Sequence, residues 1–125
     1  MSGPLDGIKV IDMSAVISGP MACQVLCDQG AEVVKVEPLG MGDITRIGGF
    51  RVGDISAMYA SANRGKRSIA LDLSQDDGIA VLKEMVKTAD VIVQNFRPGA
   101  VDRMGIGPDT LMGICLLYTS DAADE

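Results

Sequence analysis

The feature that most constrains this chain is a strand–helix–strand pattern at its start. Residues 9–13 (KVIDM) are a short β-branched apolar run, the composition of a strand buried on both faces. Ser18-Gly19-Pro20 follows, and Pro20 suits the first turn of a helix. Residues 21–28 have helical spacing: Met21, Val25 and Asp28 mark one line, Ala22, Leu26 and Gln29 the next. Gly30 closes the helix as a C-cap. Residues 32–37 (EVVKVE) form a second strand. Two strands joined by one helix within about thirty residues make a βαβ unit, which requires parallel pairing and a right-handed crossover.

The rest of the chain continues the alternation. The segment 40–54 (GMGDITRIGGFRVGD) carries five glycines and reads as a loop. Residues 55–62 suit a short helix and 68–73 a third strand. Ser74 has N-cap chemistry, and Asp76 and Asp77 in the first turn favour the helix dipole. That helix runs to about Thr88 with Ile79, Leu82, Met85, Val86 and Ala89 as its apolar stripe. Residues 91–93 form a fourth strand, and short helical pieces follow at 100–104 and from Pro108. The fold class is therefore α/β, a parallel sheet with flanking helices.

Composition narrows the function. With 125 residues there is room for one ordinary domain. Apolar content of 47% with 22% charge is that of a globular chain. No apolar run reaches transmembrane length and the start shows no signal peptide, so the expected location is cytoplasmic. A net charge of −6 disfavours general nucleic-acid binding, which needs a basic face. His and Trp are both absent, which removes imidazole general acid–base chemistry and Ser-His-Asp triads. Cys23 and Cys27 sit four apart on a helix, and two thiols are a poor metal site, so packing is the expected role and no metal is expected.

Ligands of open α/β sheets bind beyond the carboxyl ends of the strands. That rule selects four segments: 14–19, 38–43, 72–75 and 95–99. Gly40-Met41-Gly42-Asp43 admits close approach of a ligand to the backbone, or is simply a turn; it lacks the third glycine of a dinucleotide fingerprint. Arg64-Gly65-Lys66-Arg67 reads equally as a phosphate-binding cluster or a solvated turn. Arg97 and Arg103 add guanidiniums after the fourth strand, a group suited to phosphates. Phe96 either stacks on a ligand ring or packs in the core.

The segments PLDGIKVIDMS, SGPMACQVLCDQGAEVVKVEP, GMGDITR, NRGKRSIALDL and ADVIVQNFRPGAVDRMGIG, in this order, resemble the amino-terminal region of the class III CoA-transferases. That family also contains formyl-CoA transferases and α-methylacyl-CoA racemases. The resemblance implies a Rossmann-like part that binds coenzyme A or acyl-CoA, in an interlocked homodimer that passes CoA to a carboxylic acid acceptor. It places Val16, Ile17 and Ser18 in the CoA crevice and Leu71 at the adenine. It puts Asn95 and Phe96 along the pantetheine and nucleotide, and Arg103 and Met104 near the adenine and ribose phosphate.

Pro38 stands where some members carry a nucleotide-binding arginine. The family's nucleophilic aspartate, which forms a mixed anhydride and then a CoA thioester, matches none of the aspartates here. The expectation is a CoA-binding fragment of a transferase, its sheet incomplete and the fragment alone inactive. The alternatives are a fragment of a racemase, a non-catalytic CoA or nucleotide-binding module, and a phosphoacceptor signalling domain. Residues 115–125 (CLLYTSDAADE) read as a translated sequencing adaptor, with 1–114 as the CoA-binding part. Without those last residues 14 acids face 11 bases, a net charge of −3.

Overall fold

The computed structural model describes residues 2–114 and 117–120. A five-stranded parallel sheet is built from β1 (Lys9–Asp12), β2 (Glu32–Glu37), β5 (Arg67–Ala70), β6 (Val91–Gln94) and β7 (Leu117–Ser120). The helices are α1 (Ser18–Asp28), α2 (Ala57–Asn63), α3 (Asp76–Val86), α4 (Ala100–Arg103) and α5 (Pro108–Leu111). A two-stranded antiparallel hairpin, β3 (Arg51–Val52) and β4 (Ile55–Ser56), lies apart from the main sheet.

The main sheet runs β5-β2-β1-β6-β7. Counting its own strands along the chain, the order is third, second, first, fourth, fifth. This is the Rossmann order 3-2-1-4-5-6 through its fifth strand and not the 2-1-3-4-5 of signalling receivers, whose third strand lies on the far side of the first. The phosphoacceptor alternative therefore fails on topology. The strand order reverses between β1 and β6, which pair in parallel with Ile11 opposite Ile92.

Alternation along the strands explains the double layer. Val10, Val33 and Val93 pack with Cys23 and Ala31 on the α1 side. Ile11, Val36 and Ile92 pack with Leu82, Val86, Val101, Ile106 and Leu111 on the opposite side. Strands covered on both faces need apolar side chains at successive positions, which is why KVID and VIVQ read as near-continuous β-branched runs. The expected stripe of α3 is present: Leu82 and Val86 are fully buried, and Ile79, Met85 and Ala89 pack against them.

Three local expectations change. Residues 51–56 form the hairpin, because Gly53-Asp54 makes a two-residue turn with Gly53 at φ 61° between RV and IS. Helix α2 consequently starts at Ala57, where Ser56 accepts a hydrogen bond from the Tyr59 N–H. The third main-sheet strand spans Arg67–Ala70, and Gln75 occupies the N-cap of α3. Ser74 instead closes a turn onto Asp72, donating to Oδ1 from its backbone N–H at 3.0 Å and from its hydroxyl at 2.5 Å. Among the described residues no helix is long and apolar enough to cross a membrane. Strand β7 lies within the stretch 115–125 and pairs in parallel with β6.

Candidate functional site

The loop leaving β1 is the centre of the site, and its backbone can be accounted for group by group. The Ser14 N–H donates to Asp12 Oδ1 at 2.9 Å, and the Ser14 hydroxyl donates to the same oxygen. The Ser14 carbonyl accepts from Lys35 Nζ at 3.0 Å. Ala15 is bound at both ends by one side chain, its N–H donating to Asn95 Oδ1 at 2.9 Å and its carbonyl accepting from Asn95 Nδ2 at 2.8 Å. The Val16 N–H faces Asp43 Oδ1 at 3.4 Å. Every backbone polar group from the Ser14 N–H to the Val16 N–H is thus met by a side chain, as buried irregular backbone requires. Val16 has φ 70°, the left-handed region, which is unusual for a β-branched residue.

Two buried ion pairs stand behind this loop. Asp12 on β1 is fully buried and meets Lys66 Nζ at 2.7 Å, while Lys66 also donates to the Pro20 carbonyl and to Asn63 Oδ1. The side chains of Lys35 on β2 and Asp43 are each 1% exposed, with Nζ 2.9 Å from Oδ2. Burial opposes ionisation of Asp43. Hydrogen bonds from the Thr45 N–H and Oγ1 together with the Lys35 ammonium overcome it and hold the carboxyl below its ordinary range.

A third cluster closes the β2 end. Glu37 accepts from Arg46 Nε at 2.7 Å and Nη2 at 3.1 Å, and from the Tyr59 hydroxyl at 2.6 Å. The Arg46 guanidinium lies over the Tyr59 ring, 3.9 Å from its centre. Burial works against the Glu37 anion, yet these donors keep its carboxyl below the usual value. Burial and the Glu37 anion push the Tyr59 hydroxyl upward. Gly42 is required here: its φ is 70°, and a Cβ would lie 2.5 Å from Glu37 Oε2.

Of these groups Ser14, Ala15, Lys35, Glu37 and Asp43 line a cleft of about 520 Å³ at the carboxyl ends of β1, β2, β5 and β6. Its apolar wall includes Met13, Val36, Leu39, Leu71, Phe96 and Met104. Three carboxylates reach it, Glu37, Asp43 and Asp72, and all three are engaged: by Arg46 and Tyr59, by Lys35 and Thr45, and by Ser74. The volume is that of a small-molecule site, with an apolar lining and few polar groups.

The model of CoA-transferase family III matches residues 5–115. The chain belongs to that family. It is 45% identical over 122 residues to acetyl-CoA:oxalate CoA-transferase of Acetobacter aceti, covering 96% of this chain and 31% of that protein. Human succinyl-CoA:glutarate CoA-transferase is 45% identical over 120 residues, covering 94% of this chain and 27% of its own length. A CAIB/BAIF family protein from Brucella suis superposes with TM-score 0.88 at 38% identity, over 96% of this chain and 33% of that one. Rv3272 of Mycobacterium tuberculosis does so with TM-score 0.87 at 37% identity, over 95% and 33%. The chain therefore spans about a third or less of the length of these relatives.

Within this CoA-transferase family III framework the residues expected from sequence fall into three groups. Leu71, Phe96 and Met104 line the cleft. Val16, Ile17 and Ser18 do not line it; they are exposed on the stretch that leads from Ala15 into α1. Asn95 holds the Ala15 backbone, while Arg103 is exposed on α4 next to Met104. The basic run resolves toward structure: Arg64 pairs with Asp28 at 2.5 Å, Lys66 with Asp12, and Arg67 with Glu32 at 3.4 Å. Sequence reasoning missed Lys35, Glu37, Arg46 and Tyr59, and placed Asp43 only within a glycine-rich segment open to a ligand or to a turn. For Lys35 a signal existed, since a lone cation inside the apolar strand EVVKVE demands a buried partner.

Proposed function

We propose that this chain forms the coenzyme A-binding wall of an enzyme that transfers CoA between carboxylic acids. The observation that carries the reading is the apolar cleft at the strand ends whose three carboxylates are all engaged. Such a wall binds and orients a ligand and leaves nucleophilic attack to another group. In this reading Leu71 contacts the adenine, Phe96 and Asn95 follow the pantetheine and nucleotide, and Arg103 and Met104 lie by the ribose phosphate. Val16, Ile17 and Ser18 form the rim.

The chemistry itself belongs to an aspartate elsewhere in the full-length enzyme. Its carboxylate attacks the acyl-CoA thioester, expelling CoA thiolate and forming a mixed anhydride. The thiolate then attacks the aspartyl carbonyl, releasing the donor acid and leaving an aspartyl-CoA thioester. An acceptor carboxylate reverses the sequence and departs as its own CoA ester. The working enzyme in this reading is an interlocked homodimer.

Calorimetric titration of CoA into the 125-residue chain tests the binding claim. The expected result is saturable heat, with Phe96→Ala weakening affinity about tenfold through lost stacking. A folded chain giving no saturable heat overturns it. In the full-length enzyme, label from an acyl-CoA donor appearing in an acceptor acid's CoA ester supports transfer. Exchange of the α-proton without an acceptor assigns a racemase instead, and binding without either reaction a non-catalytic module.

A further inference from the structure

We propose that the buried Lys35–Asp43 pair is a positioning device for the ligand crevice, holding Val16 in its left-handed backbone conformation and thereby fixing the turn from β1 into α1. The inference rests on the CoA-binding reading for its functional consequence, and on geometry alone for its mechanism.

A β-branched residue at φ 70° is disfavoured, and such a conformation persists only where its surroundings over-determine it. Here the two groups that flank Ala15 are gripped by the two halves of one ion pair. Lys35 Nζ holds the Ser14 carbonyl at 3.0 Å, and Asp43 Oδ1 faces the Val16 N–H at 3.4 Å. Asp43 is itself fixed by the Thr45 N–H at 3.0 Å and Thr45 Oγ1 at 2.8 Å, and Lys35 by its place on β2. Both side chains are 1% exposed, so each charged group meets its partners away from solvent. A buried pair of this kind is weak as a source of net stability and better suited to enforcing one arrangement. The arrangement enforced carries the chain from Met13, Ser14 and Ala15, which line the 520 Å³ cleft, through Val16 and Ile17 into the start of α1.

The test uses the 125-residue chain, two-dimensional NMR and CoA calorimetry. Lys35→Met removes the cation. Asp43→Ala removes the acceptor that faces the Val16 N–H together with the anion, so it serves where Lys35→Met strands a buried carboxylate and fails to fold. In the unsubstituted chain the intraresidue HN–Hα NOE of Val16 is strong, the signature of positive φ. In both variants it weakens and CoA affinity falls at least tenfold. In a Val16→Gly background the same substitutions cost less than threefold, because glycine holds positive φ unaided. An unchanged Val16 signature in folded variants overturns the proposal, as does an equal loss of affinity in the glycine background. A parent chain that binds no CoA refutes the proposed function, and the Val16 NOE then decides on the clamp alone.

Discussion

Replacing Lys66 by methionine measures how far this fold depends on its buried charges. Lys66 Nζ lies 2.7 Å from Asp12 Oδ2, 2.8 Å from the Pro20 carbonyl and 3.0 Å from Asn63 Oδ1. The two charged side chains are 1% and 0% exposed. Methionine fills most of the same volume but leaves the Asp12 carboxylate buried without its cation. Breaking a buried pair from one side costs roughly 3–5 kcal/mol, a large share of the about 5–15 kcal/mol that holds a domain together. With a urea slope of about 2 kcal/mol/M, the unfolding midpoint falls by about 2 M. Adding Asp12→Asn removes the stranded charge, and its Oδ1 still accepts from Ser14, so about half of the loss returns. Urea titrations of all four species, followed by far-UV circular dichroism, give the coupling directly. The reasoning is refuted if Lys66→Met shifts the midpoint by less than about 0.5 M, or if the double variant is as unstable as the two single losses added.

The carboxyls of Glu37 and Asp43 both sit below their ordinary values of 4.5 and 3.8, despite burial, because Arg46 and Tyr59 bind the first and Thr45 and Lys35 the second. A folded-state value below the unfolded one adds stability above the unfolded pKa and loses it as pH falls through the folded pKa. Thermal melts are therefore flat from about pH 7 to 5 and fall below about pH 4.5; Glu37→Gln is less stable at neutral pH and shows a shallower acid limb, and an unchanged limb contradicts the assignment. Burial, reinforced by the Asp12 anion, pushes the Cys23 thiol up to about 12. Iodoacetamide at pH 8 accordingly modifies half-buried Cys27 while Cys23 reacts only on unfolding, and equal rates in the native chain disprove the burial argument.

Much of the architecture was legible because it depends on local patterns. β-branched runs, the proline at the head of α1 and the α3 stripe each report a short window of sequence, and together they specify a doubly wound sheet. The hairpin at 51–56 was obscured by its glycines, which mark a loop and a tight turn equally well. The site was legible in place but not in wiring. The strand-end rule located the cleft, yet the partners of Lys35, Lys66 and Arg46 lie 8, 54 and 9 positions away in the chain, at Asp43, Asp12 and Glu37. A cation such as Lys66 looks the same in sequence whether it meets a phosphate or a buried aspartate. Only the fold decides between them.

The bridge between Asn95 and Ala15 joins positions 80 apart, and the Asp43 and Lys35 contacts to the same loop join positions 27 and 21 apart. The crevice therefore has no early, local form. Its shape waits on β6 being in register, so during synthesis the first ninety-odd residues emerge without a competent ligand wall. Any ligand that needs this wall stabilises only the finished state, so recognition here is a late checkpoint on folding.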